Sequence, residues 1–123
     1  LDMRFKTSIF FVIWFLLSFG CSDIVNVGDI SDGTVTILAP ADDAILGTMD
    51  VSFSWQEVEE AEQYRVQVAT PGFTEALQIV TDSTLTGNGL TRTLEPGQYE
   101  WRVKALNSAY ETGYTTSRFT IEE

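Results

Sequence analysis

The side chains able to do chemistry in this chain are nearly all carboxylates. Its 123 residues include 18 Asp and Glu, no His and a single Cys. Without His there is no Ser-His-Asp triad, no imidazole-ligated zinc and no His-paired thiolate. One Cys makes neither an intramolecular disulfide nor a CxxC site. Glu57, Glu59, Glu60 and Glu62 crowd one short stretch, and two carboxylates held about 5–10 Å apart across a cleft would serve glycoside hydrolysis. A connection on a small domain offers no such cleft, so a solvated acidic loop is the expected reading. The same cluster, or Asp42 with Asp43, lacks the spaced oxygen ligands of a calcium loop. The sequence therefore predicts no catalytic residue, no metal site and no cofactor.

A second group suits binding rather than turnover. Asn107, Ser108, Tyr110, Glu111 and Tyr114 fall within nine residues, and aromatic faces flanked by hydrogen-bonding groups fit a sugar ring or a protein surface. Two bland readings compete: Tyr114 packs back on the body of the domain, and Tyr110 is merely exposed. Phe73, in Pro71-Gly72-Phe73, is expected to tuck under a turn. Charge narrows the partners, because 7 Lys and Arg against 18 acids leave a formal net charge of −11. That balance opposes phosphate backbones, which are neutralised by Lys and Arg, so nucleic acid is excluded as a partner.

The elements that position these groups begin with an export address. Ile9 to Leu17 reads IFFVIWFLL, preceded by Arg4 and Lys6 and followed by Ser18-Phe19-Gly20-Cys21. Nine apolar residues match the ~7–15 of a signal-peptide core and fall short of the ~18 needed to span a bilayer. Residues 1–20 therefore read as a signal peptide. The Cys directly after this run and next to Gly20 resembles a bacterial lipoprotein signal, although Leu17 stands four places before the Cys rather than three. That resemblance implies an acylated Cys21 as first mature residue, and anchoring in the bacterial envelope, on the periplasmic or surface face of the outer membrane. A buried free Cys is the competing reading. The first twenty residues hold two of the seven basic residues and one acidic residue, so the exported part is the more acidic. A lipid tail rather than surface charge would hold it to a membrane.

Residues 21–33 read as the lipidated Cys and a flexible tether, because Ser22 to Gly33 has Gly and Asp but no sustained period. From residue 34 to 123 apolar residues alternate at period 2. Seven strands are expected, carried by Val35 and Ile37; Val51, Phe53 and Trp55; Tyr64, Val66 and Val68; Leu77 and Ile79; Leu90 and Leu94; Tyr99, Trp101, Val103 and Ala105; and Phe119 and Ile121. Polar residues such as Arg65, Gln67, Arg102 and Lys104 alternate with them. Pro40-Ala41-Asp42-Asp43, Pro71-Gly72, Gly87-Asn88-Gly89 and Pro96-Gly97 punctuate the runs as turns. Asp82-Ser83-Thr84 resembles a short acceptor for O-glycosylation of exported bacterial proteins, against the plainer reading of a turn. An all-β, seven-stranded antiparallel sandwich follows.

The run Val51-Ser-Phe-Ser-Trp55, then Tyr64-Arg-Val-Gln-Val68, then Leu94-Glu-Pro-Gly-Gln-Tyr99-Glu-Trp101 is similar to a fibronectin type III module. The resemblance implies that Trp55 plugs the core, that Leu94, Pro96, Gly97 and Tyr99 form a tyrosine corner, and that Trp101 joins the structural core. It also implies that the loop from Asn107 to Thr115 carries binding contacts. The expected function is a non-catalytic envelope lipoprotein presenting one such module for binding, adhesion or spacing. The alternative is a glycan-binding accessory lipoprotein of a polysaccharide-utilisation system.

Overall fold

The computed structural model describes residues 27–75 and 78–122. The expected signal peptide, Cys21, the first part of the expected tether and Leu77 lie outside the described residues.

Alternating apolar residues dictate the strands. β3 (Asp50–Trp55) buries Val51, Phe53 and Trp55; β4 (Gln63–Thr70) buries Tyr64, Val66 and Val68; β7 (Gly97–Leu106) buries Tyr99, Trp101, Val103 and Ala105. Successive side chains of a strand point to opposite faces, so these sets share one side and the intervening polar residues the other. With β1 (Ile37–Ala39), β2 (Ala44–Leu46), β5 (Gln78–Leu85), β6 (Gly89–Thr93) and β8 (Thr115–Ile121) they form two sheets, ordered β1-β3-β6 and β2-β8-β7-β4-β5. The inner faces meet in an aromatic core. Phe53 lies edge-on to Trp101 at 4.9 Å and to Phe119 at 5.8 Å, and Trp55 is tilted against Tyr64 at 5.6 Å and Trp101 at 6.3 Å. Such pairs add about 0.5–1.5 kcal/mol each beyond the area they bury.

Eight strands replace the seven expected. The additional one, β2, is the only parallel partner in the molecule's described sheets, with Ala44, Ile45 and Leu46 facing Phe119, Thr120 and Ile121. The chain leaves the three-stranded sheet after β1, bends through Pro40 to Asp43, and joins the edge of the five-stranded sheet. Asp42 makes the crossing by accepting a hydrogen bond from the Arg118 amide at 3.0 Å, while the Asp43 amide donates to the Arg118 carbonyl at 2.8 Å. Three residues are too few to show a period, which is why only a turn was legible there.

The fourth expected strand also differs. Val68 pairs with Thr81 and Ala69 with Ile79, leaving Val80 as the extra residue of a bulge. A bulge shifts the alternation by one place. Ile79, expected inside, is left 48% exposed, whereas Val80 packs against the core and Thr81 is buried. Asp82, Ser83 and Thr84 continue this strand, so they are not a turn.

The tether expected through Gly33 meets the sandwich earlier than its composition suggests. Ile30 is buried in the core, and the Gly33 amide donates to the Ile30 carbonyl at 2.9 Å, closing a turn that aims the side chain inward. Ile30, set between Gly28-Asp29 and Ser31-Asp32, carries no periodic signal, yet burying an Ile is worth about 1.5–3 kcal/mol.

Leu94 to Tyr99 forms the corner between β6 and β7. Leu94 is buried and its amide donates to the Met49 carbonyl at 2.8 Å. Gly97 sits at φ 153°, where a side chain would be strained. The Tyr99 hydroxyl donates to the Glu95 carbonyl at 2.6 Å, and its ring stacks on Phe119 at 5.2 Å. Burial, with the nearby Glu95 charge second, pushes the Tyr99 hydroxyl above its ordinary value.

Candidate functional site

The loop between β7 and β8 divides its five candidate residues. Asn107 spends its side chain inside the fold: Oδ1 accepts from the amides of Ala109 (3.0 Å) and Tyr110 (2.8 Å), and Nδ2 donates to the carbonyls of Gly28 (2.9 Å) and Glu60 (3.2 Å). That uses the full capacity of a primary amide, two donors and two lone pairs. Glu111 accepts from Lys104 Nζ at 3.2 Å. Thr112, which carries the return of the loop, is buried; it accepts from the Ala105 amide and donates to the Gly113 carbonyl. Ser108 and Tyr110 alone stand free in solvent, with Tyr110 38% exposed. Tyr114 turns away from them and packs back on the outer face of the five-stranded sheet.

There it joins a column that no single segment of sequence displays. The Arg102 guanidinium is clamped between the Phe73 ring at 4.1 Å and the Tyr114 ring at 4.3 Å, and Lys104 Nζ lies 4.8 Å from the same Tyr114 ring. Arg102 Nε donates to Gln67 Oε1 at 2.8 Å, and Gln67 Nε2 passes a hydrogen bond to Asp82 Oδ2 at 3.2 Å. Asp82 in turn takes both prongs of Arg65, at 3.1 and 3.0 Å. Register explains the assembly, since β4 pairs Gln67 with Asp82 on one side and with Arg102 on the other. Arg65, Arg102, Lys104 and Arg118, four of the five basic residues among the described ones, stand on this face. Phe73 lies over the sheet rather than beneath a turn, held by its amide donating to Glu100 Oε1 at 3.0 Å.

Two substitutions test the column. Each cation–π contact is worth about 0.5–1 kcal/mol at an exposed site, and the Arg stem covers apolar surface as well. Arg102→Ala is expected to cost about 1–2 kcal/mol in urea denaturation and to speed amide exchange at residues 72–74; unchanged exchange there would show that Phe73 does not depend on the clamp. The Arg65 fork, chiefly through its hydrogen bonds, holds the Asp82 carboxyl below its ordinary value. A lowered folded value means the pair stabilises fully above the unfolded value near 3.8 and loses this as pH falls through the folded one. Both side chains are 41% exposed, so Asp82→Asn should cost only about 0.2–1 kcal/mol at pH 7 and low salt. The difference from the parent should shrink steadily as pH falls below about 3.8; a gap of constant size from pH 7 to pH 2 assigns the effect to something other than charge.

At the far end of the same face a groove of about 550 Å³ opens between the Pro71–Glu75 connection and β2, with Ile45, Gln98, Glu100, Arg118 and Thr120 along it. Ile45 is 67% exposed. The Arg118 side chain is mostly solvated and meets Glu100 Oε2 through Nε at 3.6 Å. An apolar side chain ringed by a guanidinium, an amide, a hydroxyl and a carboxylate can meet a polyhydroxylated ligand with both donors and acceptors. These groups come from three separate stretches of chain. Only the basic residues at outward-facing positions of β4, β7 and β8 could have signalled the face from sequence.

No protein-family model matches this chain, and no curated protein sequence matches it. Solved structures do. The chain is similar to the fibronectin(III)-like modules of Clostridium thermocellum CbhA, with 10% identity over 72% of this chain and 96% of that one and a TM-score of 0.52. It is similar to a fibronectin type III domain of the human KIAA0970 protein, with 14% identity over 83% and 86% and a TM-score of 0.57. A third similar structure is FN3tt, with 11% identity, 72% and 95% covered, and a TM-score of 0.52. At these identities the likeness shows the fold alone, which is fibronectin type III-like.

Proposed function

We propose that this fibronectin type III-like sandwich is the exported part of a bacterial envelope lipoprotein, a non-catalytic module presented for binding, adhesion or spacing. Acylated Cys21 holds it to the outer membrane. The observation that carries the non-catalytic reading is how the acid and base groups are used. Asp82 is spent on Arg65, Glu111 on Lys104 and Glu100 on the Phe73 amide and Arg118. Among the described residues no three acidic or Cys side chains gather where a metal could sit. The apolar run ending at Leu17, followed by Gly20-Cys21, supports the anchor, and two or three acyl chains at about 0.8 kcal/mol per buried CH2 make it stable. Mass spectrometry of the membrane fraction should find a mature N-terminus at Cys21 carrying acyl chains. A soluble species keeping Cys21 as a free thiol would overturn the anchor.

Glycan capture is the second reading, and the groove beside Ile45 and Arg118 favours it. On a glycan array, Arg118→Ala should lose at least tenfold in apparent affinity while Tyr110→Ala stays within twofold. The reverse pattern would move the site to the β7–β8 loop, and an array without signal would remove this reading.

A further inference from the structure

The way the chain enters the sandwich decides which surface it can present. Gly28 is tied to the β7–β8 loop through Asn107 Nδ2, Ile30 is buried, and the Val35 carbonyl accepts from Thr115 Oγ1 at 2.7 Å. Entry is therefore at the pole formed by the β3–β4 and β7–β8 connections. The groove lies at the opposite pole, where Gln98 pairs with Thr120 next to the start of β7. The ten residues of β7 run from one pole to the other, a span of about 33 Å at ~3.3 Å per residue. Cys21 and Val27 are separated by five residues, and six steps of chain reach at most about 20 Å. A tether shorter than the module cannot let it invert.

We infer that the module stands pole-on to the bilayer, with the Tyr110 loop facing the membrane and the groove between Ile45 and Pro71 presented outward. This rests on the lipid anchor proposed above. Tether length rather than charge imposes this arrangement: Asp29, Asp32, Glu57, Glu59, Glu60 and Glu62 are all exposed around the entry pole, and anionic headgroups repel them within about a Debye length, ~8–10 Å at moderate salt, so the pole stands off the headgroups instead of resting on them. The loop that looks most like a binding loop is thus the one held nearest the membrane, and the groove is held farthest from it.

The test expresses the full chain in a bacterium, so that any processing and acylation occur in the cell, and mixes the purified product with vesicles of phosphatidylethanolamine and phosphatidylglycerol carrying an acceptor dye on a headgroup. Donor labels are placed singly on Ala109→Cys, Thr74→Cys and Thr84→Cys, all at exposed positions at the near pole, the far pole and the β5 edge. Energy transfer from position 109 should exceed that from position 74 at least twofold, with position 84 between them. A chain that floats with the vesicles but shows equal or reversed transfer, or strongest transfer from position 84, overturns the pole-on arrangement alone. A chain that fails to float and carries an unmodified Cys21 removes the anchor and the arrangement together.

Discussion

Trp55→Ala should remove about 3–5 kcal/mol of folding stability, the range for truncating a large buried aromatic. The indole is fully buried at the end of β3, where it fills the space between the sheets against Tyr64 and Trp101. A domain of this size has about 5–15 kcal/mol in all, so the variant should lose about a fifth or more of its margin. Urea unfolding followed by far-UV circular dichroism will read this as a lower midpoint at unchanged slope. A loss below 1 kcal/mol would mean that the core closes over the cavity. Trp55→Phe separates volume from polarity. The indole nitrogens of Trp55 and Trp101 are buried without a hydrogen-bond partner among the described residues, and an unmet buried donor costs about 1–3 kcal/mol. Removing that donor offsets part of the lost packing, and Trp55→Phe is expected to cost less than about 2 kcal/mol.

Tyr99→Phe should cost about 1–3 kcal/mol, because it keeps the ring stacked on Phe119 and removes only the hydroxyl bond to the Glu95 carbonyl. That bond fixes the corner through which the chain passes from one sheet to the other, and no disulfide shares the task. The hydroxyl's raised folded value adds a pH signature. An acid whose folded value exceeds its unfolded one stabilises fully below the unfolded value, near 10.0 here, and loses that stabilisation as pH rises through the folded value. The parent's extra stability over Tyr99→Phe should therefore hold from pH 7 to 9 and shrink above pH 10. A difference that stays constant to pH 12 would assign the cost to repacking instead.

The fold was largely legible because its information is local. Period-2 burial in Val51-Phe53-Trp55, Tyr64-Val66-Val68 and Tyr99-Trp101-Val103 needs only a pleated strand with one wet face, and Leu94 to Tyr99 needs only a corner that buries a ring and caps a carbonyl. The same local reading counts the charge and locates the apolar run from Ile9 to Leu17 and the lone Cys21. It fails where the outcome depends on which strand lies alongside. Ile79 and Val80 exchange faces because β5 carries one residue more than β4 at that point. Ala44–Leu46 becomes a strand because β8 offers it an edge, and Ile30 is buried because the β7–β8 loop holds Gly28 beside it. Arg102, Phe73 and Tyr114 form a clamp only when three distant stretches share one register. Sequence by itself determined that this chain makes a β-sandwich and what kinds of group line its strands. Tertiary structure decided which of those groups meet, since cross-strand register and inter-sheet crossing are set by non-local hydrogen bonds that no local period contains.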